Sequence, residues 1–163
     1  MSFEFKRILF ATDLSRNSYF AFERAVALSK VSGAEIHMLH VVEPLSDDAK
    51  TTIRMFIQDP AERATAIKRR IEPVREEMKE RQDKFWSEVS EGDRGLRERV
   101  ASIDIIEGYP AEEILRRAEE KGCDVIIMGA HEHGISHTFL GSTAKRVLRR
   151  SRIPTLIVPH KNA

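Results

Sequence analysis

Cysteine is nearly absent from this 163-residue chain: Cys123 stands alone, which excludes an internal disulfide framework and fits a reducing cytosol. An excess of one charge is missing too. Lys and Arg number 27 against 26 Asp and Glu, and the net charge of +1 gives no overall field to attract nucleic acid or an anionic membrane. No apolar run reaches the ~20 residues of a membrane-spanning helix, and the opening Met-Ser-Phe-Glu-Phe-Lys-Arg lacks the apolar centre of a signal peptide. A cytoplasmic protein with no membrane and no nucleic-acid partner is expected. Two phosphate-binding signatures are also lacking: there is no G-x-x-x-x-G-K-[ST], and no G-x-G-x-x-G follows the first strand. No Ser/His/Asp or paired-carboxylate arrangement can be argued from spacing, so no catalytic residue is expected.

What is present reads as one soluble globular domain over residues 1–163, with 41% hydrophobic and 33% charged residues. Short aliphatic and β-branched runs at 7–11, 35–42, 100–106, 123–128 and 154–158 read as strands. The third alternates as an edge or near-edge strand would, and prolines bracket the fifth, which favours an edge. Helical patterns fill the intervals at 18–30, from Asp59-Pro60 to about Ser90, at 110–121 and at 142–150. In the second of these, Ile67, Ile71, Val74, Met78, Phe85, Trp86 and Val89 recur at near-heptad spacing, and Pro73 predicts a kink or two abutting helices. Residues 43–58 break the compactness; they read as a protruding loop or short helix that covers a crevice or meets a partner.

Strands alternating with helices imply right-handed crossovers, and hence an α/β fold: a doubly wound five-stranded parallel sheet of order 3-2-1-4-5 with helices on both faces. Ligands of such sheets bind beyond the carboxyl ends of the strands where the winding reverses, here between strands one and four. The ends that meet there are Ala11-Thr12-Asp13 and Met128-Gly129-Ala130. After strand four, a polar loop leads to Gly141-Ser142-Thr143 at the start of a basic helix, whose unpaired N–H groups and dipole suit a phosphate.

Individual residues leave alternatives open. Asp13 reads as a crevice carboxylate accepting from a ribose or base, or as an N-cap or Asx-turn residue; Ser15, Asn17 and Ser18 could cap equally well, and Asp13 could do both. Gly129 and Ser142 serve a phosphate, or simply end a strand and cap a helix. His131, His133 and His137, with Glu132 among them, could bind a metal, meet phosphate oxygens or lie in solvent; no metal site is assigned to them. Cys123 reads as core packing, while Arg146, Arg149, Arg150 and Arg152, like the charged positions of 62–91, read as solvated helix faces.

Nearly the whole sequence resembles the universal stress protein family. The residues that carry the likeness are Ala11-Thr12-Asp13-Leu-Ser, His40-Val41-Val42, Glu107-Gly108-Tyr-Pro-Ala-Glu-Glu-Ile, Asp124-Val-Ile-Ile-Met-Gly129 and Gly141-Ser142-Thr143-Ala-Lys-Arg-Val147-Leu, followed by Pro154-Thr-Leu-Ile-Val158-Pro. The resemblance implies an adenine nucleotide alpha hydrolase-like fold and a homodimer that pairs its fifth strands, 154–158. In one branch it implies bound ATP or AMP, with or without Mg, in a sensor that hydrolyses ATP weakly if at all. Carried over, Ala11, Asp13 and Val41 would surround adenine and ribose, Met128 and Gly129 would stand at the strand end, and Gly141, Ser142 and Thr143 at the phosphates. The loop departs from the family's G-x2-G-x9-G-[ST]: its middle glycine falls on Glu132, and the loop is one residue short. The rival expectation is a nucleotide-free dimeric scaffold that docks other proteins. A PP-loop ligase would need a Ser-Gly-Gly-rich first loop, which Asp13-Leu-Ser-Arg does not supply.

Overall fold

The computed structural model describes residues 3–130 and 140–160. Five strands, β1 (Arg7–Ala11), β2 (Glu35–Val42), β3 (Val100–Glu107), β4 (Val125–Gly129) and β5 (Thr155–Val158), form one sheet of order β3-β2-β1-β4-β5. Every adjacent pair is parallel, as the alternation of elements predicts. The helices are α1 (Arg16–Ser32), α2 (Asp47–Phe56), α3 (Pro60–Glu88), α4 (Pro110–Glu120) and α5 (Ser142–Arg150). A 3-10 stretch, Glu91–Arg99, joins α3 to β3 and has no counterpart in the sequence reading.

Period-two alternation divides β1 between two cores. Ile8 and Phe10 join Phe22 of α1 and Met78, Phe85 and Trp86 of α3 on one face; Leu9 and Ala11 join Ile114 of α4 and Val147 of α5 on the other. The first core is aromatic, with Phe22 tilted against Phe10 at 5.0 Å and against Phe85 at 4.7 Å between centroids. The indole N–H of Trp86 donates to Gln82 Oε1 at 3.1 Å, which satisfies a buried donor.

Local chemistry fixes the helix ends. Ser15 caps α1, its hydroxyl accepting from the Ser18 N–H, and Gly33 closes α1 at φ 79°, a left-handed conformation that costs glycine little. Asp59 caps α3, and Pro60 takes the first position, where a missing N–H is harmless. Pro73 does not divide α3, which runs as one helix through it. The proline is exposed, while the buried Met78, Phe85 and Trp86 hold the second half of the helix against the core. Ile71, Val74 and Val89 pack partly buried against that core; the side chain of Ile67 lies outside the described set. The 43–58 excursion contains α2, none of whose residues is buried.

At the carboxyl end of β4 the helix and sheet approach closely. A Cβ on Gly129 would lie 2.5 Å from Asn17 Nδ2, so an added methyl would displace this amide of α1. Asn17 is 4% exposed, and among the described residues neither polar atom of its amide has a hydrogen-bond partner. Gly129→Ala is expected to destabilise the protein by roughly 1–3 kcal/mol, since overpacking forces Asn17 to move. Asn17→Ala removes two unsatisfied atoms and should cost less than about 1 kcal/mol. In urea unfolding the double variant should be more stable than the sum of the single effects predicts. Additivity within about 0.5 kcal/mol would disprove the contact as the reason for glycine.

Candidate functional site

Because β1 pairs with β2 on one side and β4 on the other, its carboxyl end is where the two halves of the sheet diverge. Register sets Ala11 level with Leu39 on β2 and with Met128 on β4. These three side chains share the α4/α5 face, and the small central Ala11 leaves a depression between two larger neighbours. The depression opens as a crevice of about 360 Å³, bounded by the β1–α1 corner, the end of β2, the starts of α4 and α5, and the residues after β4. That volume lies within the range of about 300–1,000 Å³ usual for small-molecule sites.

Of the sequence-derived candidates, Ala11, Thr12, Asp13, Val41, Met128, Gly129, Gly141 and Thr143 all line this crevice. Ser142 does not; it lines an adjoining space of about 300 Å³. Several wall residues were not anticipated: Ser18, Leu39, His40, Glu43, Pro110 and Ile114. His40 had a signal in its place at the end of β2, beside Val41. Pro110 and Ile114 come from the start of α4, which only the packed sheet brings across β1.

The β1–α1 corner is built from its own polar side chains. Leu14 adopts φ 62° while 8% exposed, a left-handed conformation unusual for a branched aliphatic residue. Its N–H donates to Thr12 Oγ1 at 3.0 Å, the Ser15 N–H donates to Asp13 Oδ1 at 2.9 Å, and the Asp13 N–H donates to Ser18 Oγ at 3.1 Å. Ser15 is therefore the helix cap, and Asp13 makes an Asx turn while standing at the crevice wall. His40 Nδ1 lies 2.7 Å from the Thr12 carbonyl oxygen, which can only accept, so the proton is on Nδ1 and a neutral ring keeps its lone pair on Nε2.

The α5 end of the crevice differs in one respect from the sequence expectation. The N–H of Gly141, one of the amides expected at the phosphates, donates to the Ala130 carbonyl at 2.8 Å. Gly141 is the buried N-cap of α5, with φ −62°, and the helix-start donors that could face an anion begin at Ser142. The loop residues His131, Glu132, His133, Gly134 and His137 lie outside the described residues. Among the described residues no group of three or more His, Cys, Asp or Glu side chains is arranged to hold a metal ion.

Among the described residues, the groups with shifted pKa values lie outside the crevice lining. Burial, reinforced by the Glu88 hydrogen bond, pushes the Tyr19 phenol up to about 12. Burial raises the Cys123 thiol to about 11, so a neutral thiol packs in the core as the sequence predicts. The hydrogen bond from Arg7 holds the Glu35 carboxyl below its ordinary value.

A model of the universal stress protein family matches residues 4–159. The chain is 26% identical to Universal stress protein MJ0577 of Methanocaldococcus jannaschii over the full length of both, and 30% identical to Universal stress protein YxiE of Bacillus subtilis over 94% of this chain and 99% of that one. The solved structure of MJ0577 superposes with a TM-score of 0.73 over 98% of this chain and 99% of its own. A universal stress protein solved in complex with cAMP shares the fold, with a TM-score of 0.59 and 21% identity over 96% of this chain and 98% of that one. The strand order and flanking helices are those of the adenine nucleotide alpha hydrolase-like fold. On the match across nearly its whole length, this chain belongs to the universal stress protein family.

Proposed function

We propose that this protein binds an adenine nucleotide, ATP or AMP, in the β1/β4 crevice and acts as a stress-response sensor in the cytoplasm rather than as an efficient catalyst. The observation that carries the proposal is the crevice itself: about 360 Å³, apolar between Leu39, Ala11 and Met128, and lined also by the polar Thr12, Asp13, Ser18 and His40. Such a site suits a flat base in the depression and a ribose near Asp13. The start of α5 offers phosphates an electropositive helix end. A relative of the same fold carries cAMP, a ligand of this chemical class. The walls combine main chain, hydroxyls and aliphatic side chains with Asp13, His40 and Glu43.

The protein would act as a homodimer. Among the described residues β5 pairs only with β4, and its outer edge, with Leu156 43% exposed, is suited to pairing with a second copy. One observation favours the rival reading of a nucleotide-free scaffold: on α2, Met55 is 71% and Phe56 82% exposed, an apolar surface that a partner protein could cover.

Mass spectrometry of freshly purified, denatured protein should detect a co-purified adenine nucleotide. With none found, and no heat on titrating ATP or AMP, the scaffold reading would stand alone. Gly141→Val adds a branched side chain to a buried wall position and should abolish ATP binding in calorimetry without loss of the folded spectrum; unchanged affinity places the ligand elsewhere. Asp13→Ala should weaken ATP and adenosine by the same factor, roughly tenfold or more, because the carboxylate serves the nucleoside and not the phosphates. An effect on ATP alone would contradict that role. Leu156→Lys should yield a monomer in light scattering, and a dimer that persists would move the interface away from β5.

A further inference from the structure

A serine, a histidine and a glutamate meet on the α4 face of the sheet, and none of the three lines the crevice. His37 of β2 is level with Ser102 of β3, and period-two alternation turns both toward the face of Leu39 and Ile106. His37 Nδ1 lies 2.8 Å from Ser102 Oγ, and its Nε2 lies 3.4 Å from Glu35 Oε1. No spacing along the chain announces this set, because 65 positions separate the histidine from the serine.

The hydrogen-bonding roles are constrained. Glu35 accepts from Arg7 Nε at 3.1 Å, which holds its carboxyl below the ordinary value and therefore ionised. An ionised carboxylate only accepts, so the imidazole proton belongs on Nε2 and the Nδ1 lone pair is turned to Ser102. Among the described residues Nε2 is buried without a hydrogen-bond partner, and its 3.4 Å contact with Glu35 becomes an ion pair once the ring is charged. Ser102 Oγ accepts from Lys121 Nζ at 3.4 Å, so its own proton is free to go to Nδ1.

A hydroxyl on one ring nitrogen and a carboxylate beside the other is the arrangement that activates serine nucleophiles, and it is recognised by geometry rather than by chain order. A tie between two strands would use the hydroxyl and the ring alone. The carboxylate behind the ring and the ammonium in front of the hydroxyl are what a nucleophile requires. β3 is an edge of the sheet, and Ser102 is half-buried on it, within reach of a small molecule. Asp104 holds Lys121 Nζ at 3.2 Å and Arg117 at 3.8 Å, which keeps the ammonium beside the hydroxyl, where charge on an attacked carbonyl would develop.

We infer that Ser102 is a nucleophile toward small activated acyl esters, with His37 as its general base, Glu35 as the positioning residue behind the ring and Lys121 as the partner of the oxyanion. Ser102 Oγ bonds to the acyl carbon while its proton passes to Nδ1; the ester C–O bond then breaks, and the departing oxygen takes that proton. Water, losing a proton to Nδ1, attacks the acyl-serine and releases the carboxylic acid, and Nδ1 returns the proton to Oγ. One ester and one water thus give one acid and one alcohol. The site is separate from the nucleotide reading, since no residue of the crevice takes part.

p-Nitrophenyl acetate on the full chain tests this, read by release of p-nitrophenolate and by peptide mass mapping. One acetyl group per chain is expected on Ser102, and the rate should fall at least ~100-fold in Ser102→Ala and in His37→Gln. Ser102→Cys keeps a nucleophile and should be acetylated at the new sulfur, with thermal melts showing which variants are folded. Glu35→Gln should slow the reaction ~10-fold or more with Ser102 still the acetylated residue. It should also move the pH profile of the rate to lower pH, because the ring loses the carboxylate that favours its charged form, while Arg7, Asp104, Arg117 and Lys121 stay in place around it. Acetyl groups on Lys121 or on scattered lysines with Ser102 unmodified would overturn the assignment. Acetylation of Ser102 at an undiminished rate in folded His37→Gln would overturn it equally.

Discussion

The position of β1 governs this molecule. It lies between β2 and β4, contributes Ile8 and Phe10 to one core and Leu9 and Ala11 to the other, and ends where the chain begins to wind in opposite directions. Because the register places Ala11 between Leu39 and Met128, a methyl group floors the crevice and two long side chains form its shoulders. Strand order, register and the size of one side chain thus create the cavity together. An edge position for β1 would remove the divergence of the helices and, with it, the space between them.

Polar groups close to that floor have been used in two ways. At the β1–α1 corner, Thr12, Asp13, Ser15 and Ser18 satisfy one another's main-chain donors and sustain the left-handed Leu14. Four residues beyond Asp13, Asn17 is buried with its amide unsatisfied, pressed against the backbone of Gly129. A buried unsatisfied amide costs about 1–3 kcal/mol, an expense found where local packing is dictated by something other than stability. Here the dictating feature is the approach of α1 to the end of β4, which narrows the corner where crevice and helix start meet. Among the described residues, the titratable groups with raised or lowered pKa values, Tyr19, Glu35, Arg116 and Cys123, lie outside the crevice lining. The crevice walls carry Asp13, His40 and Glu43 beside their aliphatic side chains.

α2 has a different relation to the rest. Ser46 caps it and Asp47 and Asp48 complement its dipole, so the helix is locally well specified, yet it packs no residue into either core. Its value to the molecule lies in what its exposed surfaces meet. One side carries Lys50 to the space beside the crevice, while Met55 and Phe56 stay in solvent. A helix attached by its flanks can be ordered further by a ligand or a partner at little cost to the core.

The sequence by itself determined the five strands, their parallel order and the neighbourhood of the crevice, because unbroken aliphatic runs, alternating helices and the glycine and proline stops are local signals that all favour one topology. The same signals marked Asp13, Met128, Gly129 and Gly141 as wall residues. Only tertiary structure decided the rest. Pro73 stays inside one helix because the buried half of α3 holds it there; the Gly141 amide donates to Ala130 because the start of α5 lies against the end of β4. Gly129 is glycine to admit Asn17, a contact between residues 112 positions apart. Pro110 and Ile114 reach the crevice across the sheet, and Ser102 meets His37. Such pairings carry no periodicity along the chain, since they depend on which faces are pressed together once the sheet has formed.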